Sequence, residues 1–227
     1  MKILIHGVDN AKSRLKLREI LEDKIQEKIF LEGKKVSFQE AVLACETSSL
    51  IAEDKIIVLE NFFQRKESRE KSAILAYLFN SSFSFKVIFW EDKELDKRKI
   101  KNLSPNLQIY HFDYPGTLFK FLDGLGIQSS ASILNQFHLL LKNNDSQLIF
   151  SFIVRQFRFL LMIYEEKNNS LAIPDWQFFK LKRQAQNFNL DKLINLYRQL
   201  LQIDYRVKTG QTPLQLDQLL DFFLVNI

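Results

Sequence analysis

Along the first half of the chain, short continuous apolar runs alternate with apolar residues at helical spacing. Lys2–His6 is an apolar run closed by Gly7 and reads as a short buried strand. Ala11–Phe30 places Leu15, Leu17, Ile20, Leu21, Ile25 and Ile29 at near-helical intervals and predicts one long helix. Ser37 with Glu40 three residues on has the spacing of a capping box and predicts a second helix over Phe38–Cys45. Lys55–Leu59 is apolar almost throughout and rich in β-branched residues, the pattern of a strand buried on both faces of a parallel sheet. A helix around Ala73–Phe79, a strand over Phe85–Trp90 and another over Leu107–Phe112 continue the alternation, the last between Pro105 and the Tyr114-Pro115-Gly116 turn.

After Gly126 only helical spacing remains. Asp145 is a cap for a long helix reaching about Glu166, with Phe152, Phe159 and Ile163 facing inward. Pro174 suits the first turn of the next helix, one side of which is lined by Trp176, Phe179, Leu181, Ala185 and Phe188. Asn189 caps a partner carrying Leu193, Leu196, Tyr197, Leu200 and Leu201, and Thr212-Pro213 starts a last helix with Leu216, Leu219, Leu220 and Phe223. The expected architecture is an α/β domain with a parallel sheet over residues 1–125, followed by an all-α domain over 126–227.

Composition refines this picture without changing it. With 227 residues, 46% of them hydrophobic and including 21 Phe, the chain can bury a sizeable core, and 6 Gly and 4 Pro leave little for long linkers. Cys45 stands alone and cannot form an internal disulfide, and the N-terminal apolar run is too short for a signal peptide, so a cytoplasmic location is expected. Leu148–Tyr164 approaches the length of a membrane span, but Arg155 and Arg158 fall at its middle, so it reads as a core helix with no membrane partner. The net charge of +5 is small for a dedicated DNA-binding domain. The basic cluster over Lys93–Lys101 reads first as a solvated helix face, with Lys97, Arg98 and Lys99 as candidates for a DNA contact.

A phosphate-binding loop of the GxxxxGK[ST] kind needs two glycines, a lysine and a hydroxyl. The corresponding stretch runs from Gly7 to Lys12-Ser13, one residue short and without the second glycine, and Asp9 would place negative charge against a phosphate. Ile56–Leu59 has the shape of the strand that ends in magnesium-binding acids, yet it is followed by Glu60 and the amide Asn61. This is a degenerate P-loop, with no nucleotide or other cofactor expected. His6, His111 and His138 are scattered along the chain and one cysteine cannot build a zinc site, so neither a metal nor a catalytic constellation is read, and the protein is expected not to be an enzyme.

The C-terminal third carries the most specific pattern. Leu171-Ala172 and Pro174, then Lys180-Leu181, Gln184-Ala185 and Phe188, then Leu200-Leu201 with Asp204, Lys208 and Gly210, and a leucine-rich final helix over Leu214–Leu224, together resemble the collar domain of bacterial DNA polymerase III delta subunits. Arg155-Gln156-Phe157-Arg158 is similar to that family's preceding long helix. The order of strand, degenerate P-loop, Ser49-Leu50-Ile51 and apolar strand Ile56–Leu59 also resembles the opening of delta subunits.

The resemblance implies an AAA+-like N-terminal lobe that binds the sliding clamp, and a helical collar for oligomerisation. It places Leu50 and Ile51, with Ser49, at a tip that wedges into a hydrophobic pocket of the clamp, rimmed by Glu46, Thr47, Ser48 and Glu53. It implies as partners the sliding clamp, the ATP-hydrolysing clamp-loader subunits and a delta-prime-like subunit, with primed DNA reached through the complex. The chain departs from the family between Phe121 and about Ser146, where a middle domain is reduced. Two other readings stay open on the residues themselves. One is a P-loop nucleotide-binding enzyme built on Lys12-Ser13, and the other is a helical interaction module without a replication role.

Overall fold

The computed structural model describes residues 1–22, 26–47, 54–101, 103, 106–164, 166 and 173–227. Ser48, Ser49, Leu50, Ile51, Glu53, Pro105, Leu171 and Ala172 lie outside the described residues. The chain divides into two compact units, Met1–Tyr114 and Pro115–Ile227.

The first unit alternates β1 (Lys2–Gly7), α1 (Asn10–Leu21), β2 (Gln26–Glu32), α2 (Phe38–Glu46), β3 (Asp54–Glu60), α3 (Arg69–Asn80), β4 (Lys86–Trp90), the short α4 (Lys97–Lys101) and β5 (Leu107–Phe112). The strands form one five-stranded sheet in the order β2-β3-β4-β1-β5, and every neighbouring pair is parallel. Ile56, Ile57, Val58 and Leu59 of β3 are wholly buried, as expected of a strand covered on both faces. On one face Ile3, Ile5, Ile56, Val58, Ile88 and Trp90 pack with Leu17, Ile20 and Leu21 of α1. On the other, Leu4, Ile57, Leu59, Val87 and Phe89 pack with Ala41 and Ala44 of α2 and Ile74 and Leu78 of α3.

The opening helix is shorter than its apolar spacing predicts. It ends at Leu21, and Gln26–Glu32 is an edge strand parallel to β3. In β2 Ile29 and Leu31 pack against the core while Lys28, Phe30 and Glu32 are exposed, a two-residue alternation that the four-residue step from Ile25 to Ile29 conceals. The capping box on α2 forms as predicted, the Glu40 backbone N–H donating to Ser37 Oγ and the Ser37 N–H to Glu40 Oε2.

The second unit comprises α5 (Gly116–Gly124), α6 (Ser130–Leu141), α7 (Ser146–Tyr164), α8 (Asp175–Ala185), α9 (Leu190–Lys208) and α10 (Leu216–Val225). Helix α5 packs on α6 and α7, so this segment, expected in the α/β domain, belongs by its contacts to the helical unit. Helix α7 is long and apolar enough by composition to cross a membrane, but Ile149, Phe150, Ile153, Phe157, Leu160 and Ile163 are buried inside the unit. Asp145 accepts from the Gln147 N–H at its entry and Asn189 caps α9 through the Lys192 N–H, both as predicted.

Several inward assignments are corrected. On α8 the buried face is Phe178, Leu181, Gln184 and Ala185, whereas Trp176 and Phe179 are 68% and 64% exposed, because the helix is rotated by about one residue relative to the aromatic spacing. Leu201 is exposed, while Phe159 and Leu219 are only half-buried. The last helix starts at Leu216, after a turn in which Thr212 Oγ1 accepts from the Leu214 N–H, and so later than Thr212-Pro213 suggests.

A buried polar node joins three helices of this unit. Gln156 Nε2 on α7 donates to Gln184 Oε1 on α8 at 2.6 Å, and Gln184 Nε2 donates to the Leu122 and Leu125 carbonyls at 2.8 and 2.9 Å. Replacing Gln184 by Leu keeps the volume but takes away the partner of the Gln156 amide and the side-chain donor to the Leu122 and Leu125 carbonyls. The expected loss is about 2–4 kcal/mol of unfolding free energy in urea titrations of the full chain, and a loss below about 0.5 kcal/mol contradicts the node's role.

Candidate functional site

The C-terminal ends of the parallel strands are where folds of this type bind ligands, so the turn after β1 is the first place to look for chemistry. Gly7 closes β1 with φ +134°, and a Cβ there would stand 2.0 Å from the Phe112 carbonyl oxygen of β5. That close approach requires glycine. The next turn is tied down by the Asp9 N–H donating to the Phe112 carbonyl at 3.0 Å.

Asp9 is almost completely buried and caps α1, its Oδ1 accepting from the Lys12 N–H at 3.1 Å. A carboxylate therefore lies where the helix N-terminus would otherwise meet a phosphate. Lys12 Nζ is 3.5 Å from Asp9 Oδ2. Ser13 is fully buried, its Oγ accepting from the Trp90 indole N–H at 3.2 Å while donating to the Asn10 carbonyl. The structure thus brings Gly7, Lys12 and Ser13 together, with each engaged inside the turn.

Arg14 extends the same latch. Its guanidinium forms an ion pair with Glu60 at the end of β3 and lies over the Trp90 ring, 3.4 Å from the centroid. The acid at the end of the apolar strand is thereby neutralised from within. Asn61, at φ +59°, accepts from the Asp92 N–H and from Gln64 Nε2, linking the ends of β3 and β4. Neither Arg14 nor Trp90 was legible as a site residue, since their pairing depends on strand order.

The connection from β3 to α3 is held from beneath by two buried charged residues. Glu91 is inaccessible to solvent, its Oε1 accepting from the Phe63 N–H at 2.7 Å and its Oε2 from Gln64 at 3.3 Å. Lys71 Nζ, equally buried, donates to the Phe63 and Arg65 carbonyls and to Glu67. Burial pushes the Glu91 carboxyl up to about 7. The Phe63 N–H and the Gln64 amide oppose that shift, Asp92 adds to it and Lys71 opposes it.

Two of the histidines separated in sequence meet in the sheet. His6 and His111 are register partners on β1 and β5, and their rings stack with centroids 4.6 Å apart. The His6 ring is buried and its Nδ1 accepts from the Leu95 N–H at 3.3 Å. Burial, with the neighbouring His111 adding and Asp113 opposing, lowers its pKa to about 4, so it is neutral at pH 7. The parallel register of β1 with β5 is the missing signal that would have paired them.

In the helical unit, Asp204, Lys208 and Gly210 form the end of α9. Lys208 Nζ pairs with Asp204 Oδ2 at 2.7 Å across one helical turn, placing a cation at the helix C-terminus. Gly210 takes φ +66°, the Gln211 N–H donates to the Arg206 carbonyl at 2.9 Å and the Gly210 N–H to the Val207 carbonyl at 3.4 Å. This is a Schellman stop, which explains the glycine. Asp204 also lies on the rim of an apolar groove of about 310 Å³ between α7 and α9, lined by Phe150, Val154, Tyr197 and Leu201.

Lys97 and Arg98 are exposed on α4, with the Arg98 N–H donating to Asp96, and Lys99 belongs to the same helix. Leu43 is 63% exposed near the end of α2, the helix that precedes Ser49, Leu50 and Ile51 in sequence. Lys55 Nζ donates to the Ala44, Cys45 and Thr47 carbonyls and so joins the C-terminus of α2 to the start of β3.

The two shifted groups give opposite pH dependences. Glu91, raised above its ordinary value of 4.5, contributes stability that is full below that value and lost as pH rises through about 7. His6, lowered from 6.5, contributes stability present above 6.5 and lost as pH falls toward 4. In Glu91→Gln the decline between pH 5 and 9 is expected to shrink by on the order of 3 kcal/mol, read from urea unfolding at each pH. Parallel pH profiles for the two proteins would contradict the assignment.

Comparison with known proteins bears on the helical unit directly. Residues 116–227 match the family model of the DNA polymerase III delta subunit, C-terminal domain. Among solved structures, the DNA clamp loader delta protein of Bacillus subtilis aligns over 99% of this chain and 94% of its own, at 15% identity and a TM-score of 0.46. A DNA polymerase III gamma subunit-related protein of Thermotoga maritima aligns over 87% of this chain and 94% of its own, at 12% identity and a TM-score of 0.35. A search of curated protein sequences returns no match. Through residues 116–227 the chain carries a C-terminal domain of the DNA polymerase III delta subunit family.

Proposed function

We propose that this chain binds the sliding clamp and helps open it for loading on primed DNA, without hydrolysing ATP itself. The observation that carries the non-catalytic part is the buried Asp9 carboxylate at the N-terminus of α1, the position a triphosphate would need. The ion pair of Arg14 with Glu60 supports the same reading, because the acid at the end of β3 is already matched by an internal cation. Energy for loading comes in this reading from neighbouring ATP-hydrolysing subunits, with a delta-prime-like subunit completing the complex.

Clamp contact is assigned to Leu50 and Ile51, with Ser49, on the resemblance of that segment to the delta family. The exposed Leu43 on the preceding helix supports an apolar docking region on this side of the lobe. The helical unit is assigned to assembly. Its groove between α7 and α9, with Leu201 67% exposed and Asp204 at the rim, is the surface we assign to an adjacent clamp-loader subunit. Lys97, Arg98 and Lys99 are assigned to a DNA contact within the assembled loader.

Changing Leu50 and Ile51 together to Ala is expected to weaken binding to the host's sliding clamp by about 2–4 kcal/mol in calorimetry or surface-binding measurements, with the fold unchanged. An unaltered clamp affinity would refute the assignment. Leu201→Glu is expected to reduce co-purification with the clamp-loader ATPases while leaving clamp affinity intact, and undiminished assembly would remove the groove from the interface.

A further inference from the structure

We propose that Glu94, His111 and Asp113 form a binding site for a divalent first-row transition cation, for which Zn2+ is the fitting probe. His111 lies near the end of β5, Asp113 follows that strand, and Glu94 comes from the connection after β4. A single atom, His111 Nε2, faces both carboxylates, 3.1 Å from Asp113 Oδ2 and 3.7 Å from Glu94 Oε1. The three donor atoms all lie within 4.8 Å of one another. Metal–ligand bonds of about 2.0–2.2 Å place neighbouring donors of one coordination sphere roughly 3.0–3.6 Å apart, so the two distances from His111 Nε2 are close to those of coordination edges. One imidazole nitrogen and two carboxylate oxygens suit a borderline cation better than a thiolate-seeking one.

A second observation is the buried ring behind the cluster. His6, 3% exposed, stacks on His111 and accepts from the backbone N–H of Leu95, the residue after Glu94. One buried imidazole therefore backs the His111 ring and pins the backbone next to Glu94, so one donor and the segment that carries a second are held by the same residue. The cluster also stands at the C-terminal ends of β1, β4 and β5, where the connection after β1 covers one face of the sheet and that after β4 the other, the arrangement in which parallel sheets open a ligand crevice. A bound cation would tie the end of β5 to the β4–α4 connection. The competing use of the same groups is a closed pairing of His111 with the two carboxylates, which takes up no metal.

The test is calorimetric titration of the chelator-treated full chain with ZnCl2 at pH 7.5, with MgCl2 as comparator. Saturable uptake of one equivalent of Zn2+ and none of Mg2+ is expected. His111→Ala, Asp113→Asn and Glu94→Gln should each weaken Zn2+ binding by at least about 10-fold. His138→Ala, which removes the other histidine paired with a carboxylate, Asp221, should leave it unchanged. The near-isosteric Asp113→Asn and Glu94→Gln decide the matter if His111→Ala fails to fold, as judged by circular dichroism. Absence of saturable Zn2+ binding, equal uptake of Mg2+, loss in His138→Ala, or full affinity in both amide variants overturns the proposal.

Discussion

The first unit depends on a carboxylate placed at the start of a helix. Asp9 satisfies an N–H of α1 that no residue within the helix can reach, and its own N–H is anchored to the end of β5. Further contacts close the same edge of the sheet. Ser13 is free to accept from Trp90, Arg14 reaches over the Trp90 ring to Glu60, and Asn61 and Glu91 tie the end of β3 to that of β4. The place that a nucleotide occupies in a working P-loop is here the hub of an internal hydrogen-bond network.

Such a network has a mechanical consequence for the role proposed above, in which ATP hydrolysis belongs to neighbouring subunits. In that role, a lobe whose strand ends are cross-linked by its own side chains would hold its geometry through internal hydrogen bonds and ion pairs. The buried Glu91 and Lys71 extend this rigidity to the β3–α3 connection. In the helical unit the Gln156–Gln184 node plays a comparable part, fixing α7 and α8 against the end of α5, while the apolar surface left outside, at Leu201 and along the α7–α9 groove, is free for a neighbour.

Most of the architecture was legible because it rests on patterns local in sequence. The KIIVL strand, the Ser37–Glu40 box and the Asn189 cap each need only neighbours within a turn or two. Where the reading failed, the deciding contacts were distant. Gln26–Glu32 became a strand because β3 offered an edge, and α8 turned Trp176 outward because Phe178, Leu181 and Gln184 fitted α7 and α5. The Gly7–Ser13 turn could be read as degenerate from its missing glycine. That Arg14, Trp90 and Glu60 would close it could not, since α1, β4 and β3 meet there only once the strand order is known. The meeting of His6 with His111 has the same origin in the β1–β5 register.

The account as a whole is tested most directly by the affinity of this chain for its host's sliding clamp, measured with and without saturating Mg-ATP. A dissociation constant that is the same under both conditions is what a clamp-gripping lobe with a self-sealed P-loop gives. No binding to the clamp, or an affinity that changes with ATP for the isolated chain, would contradict it.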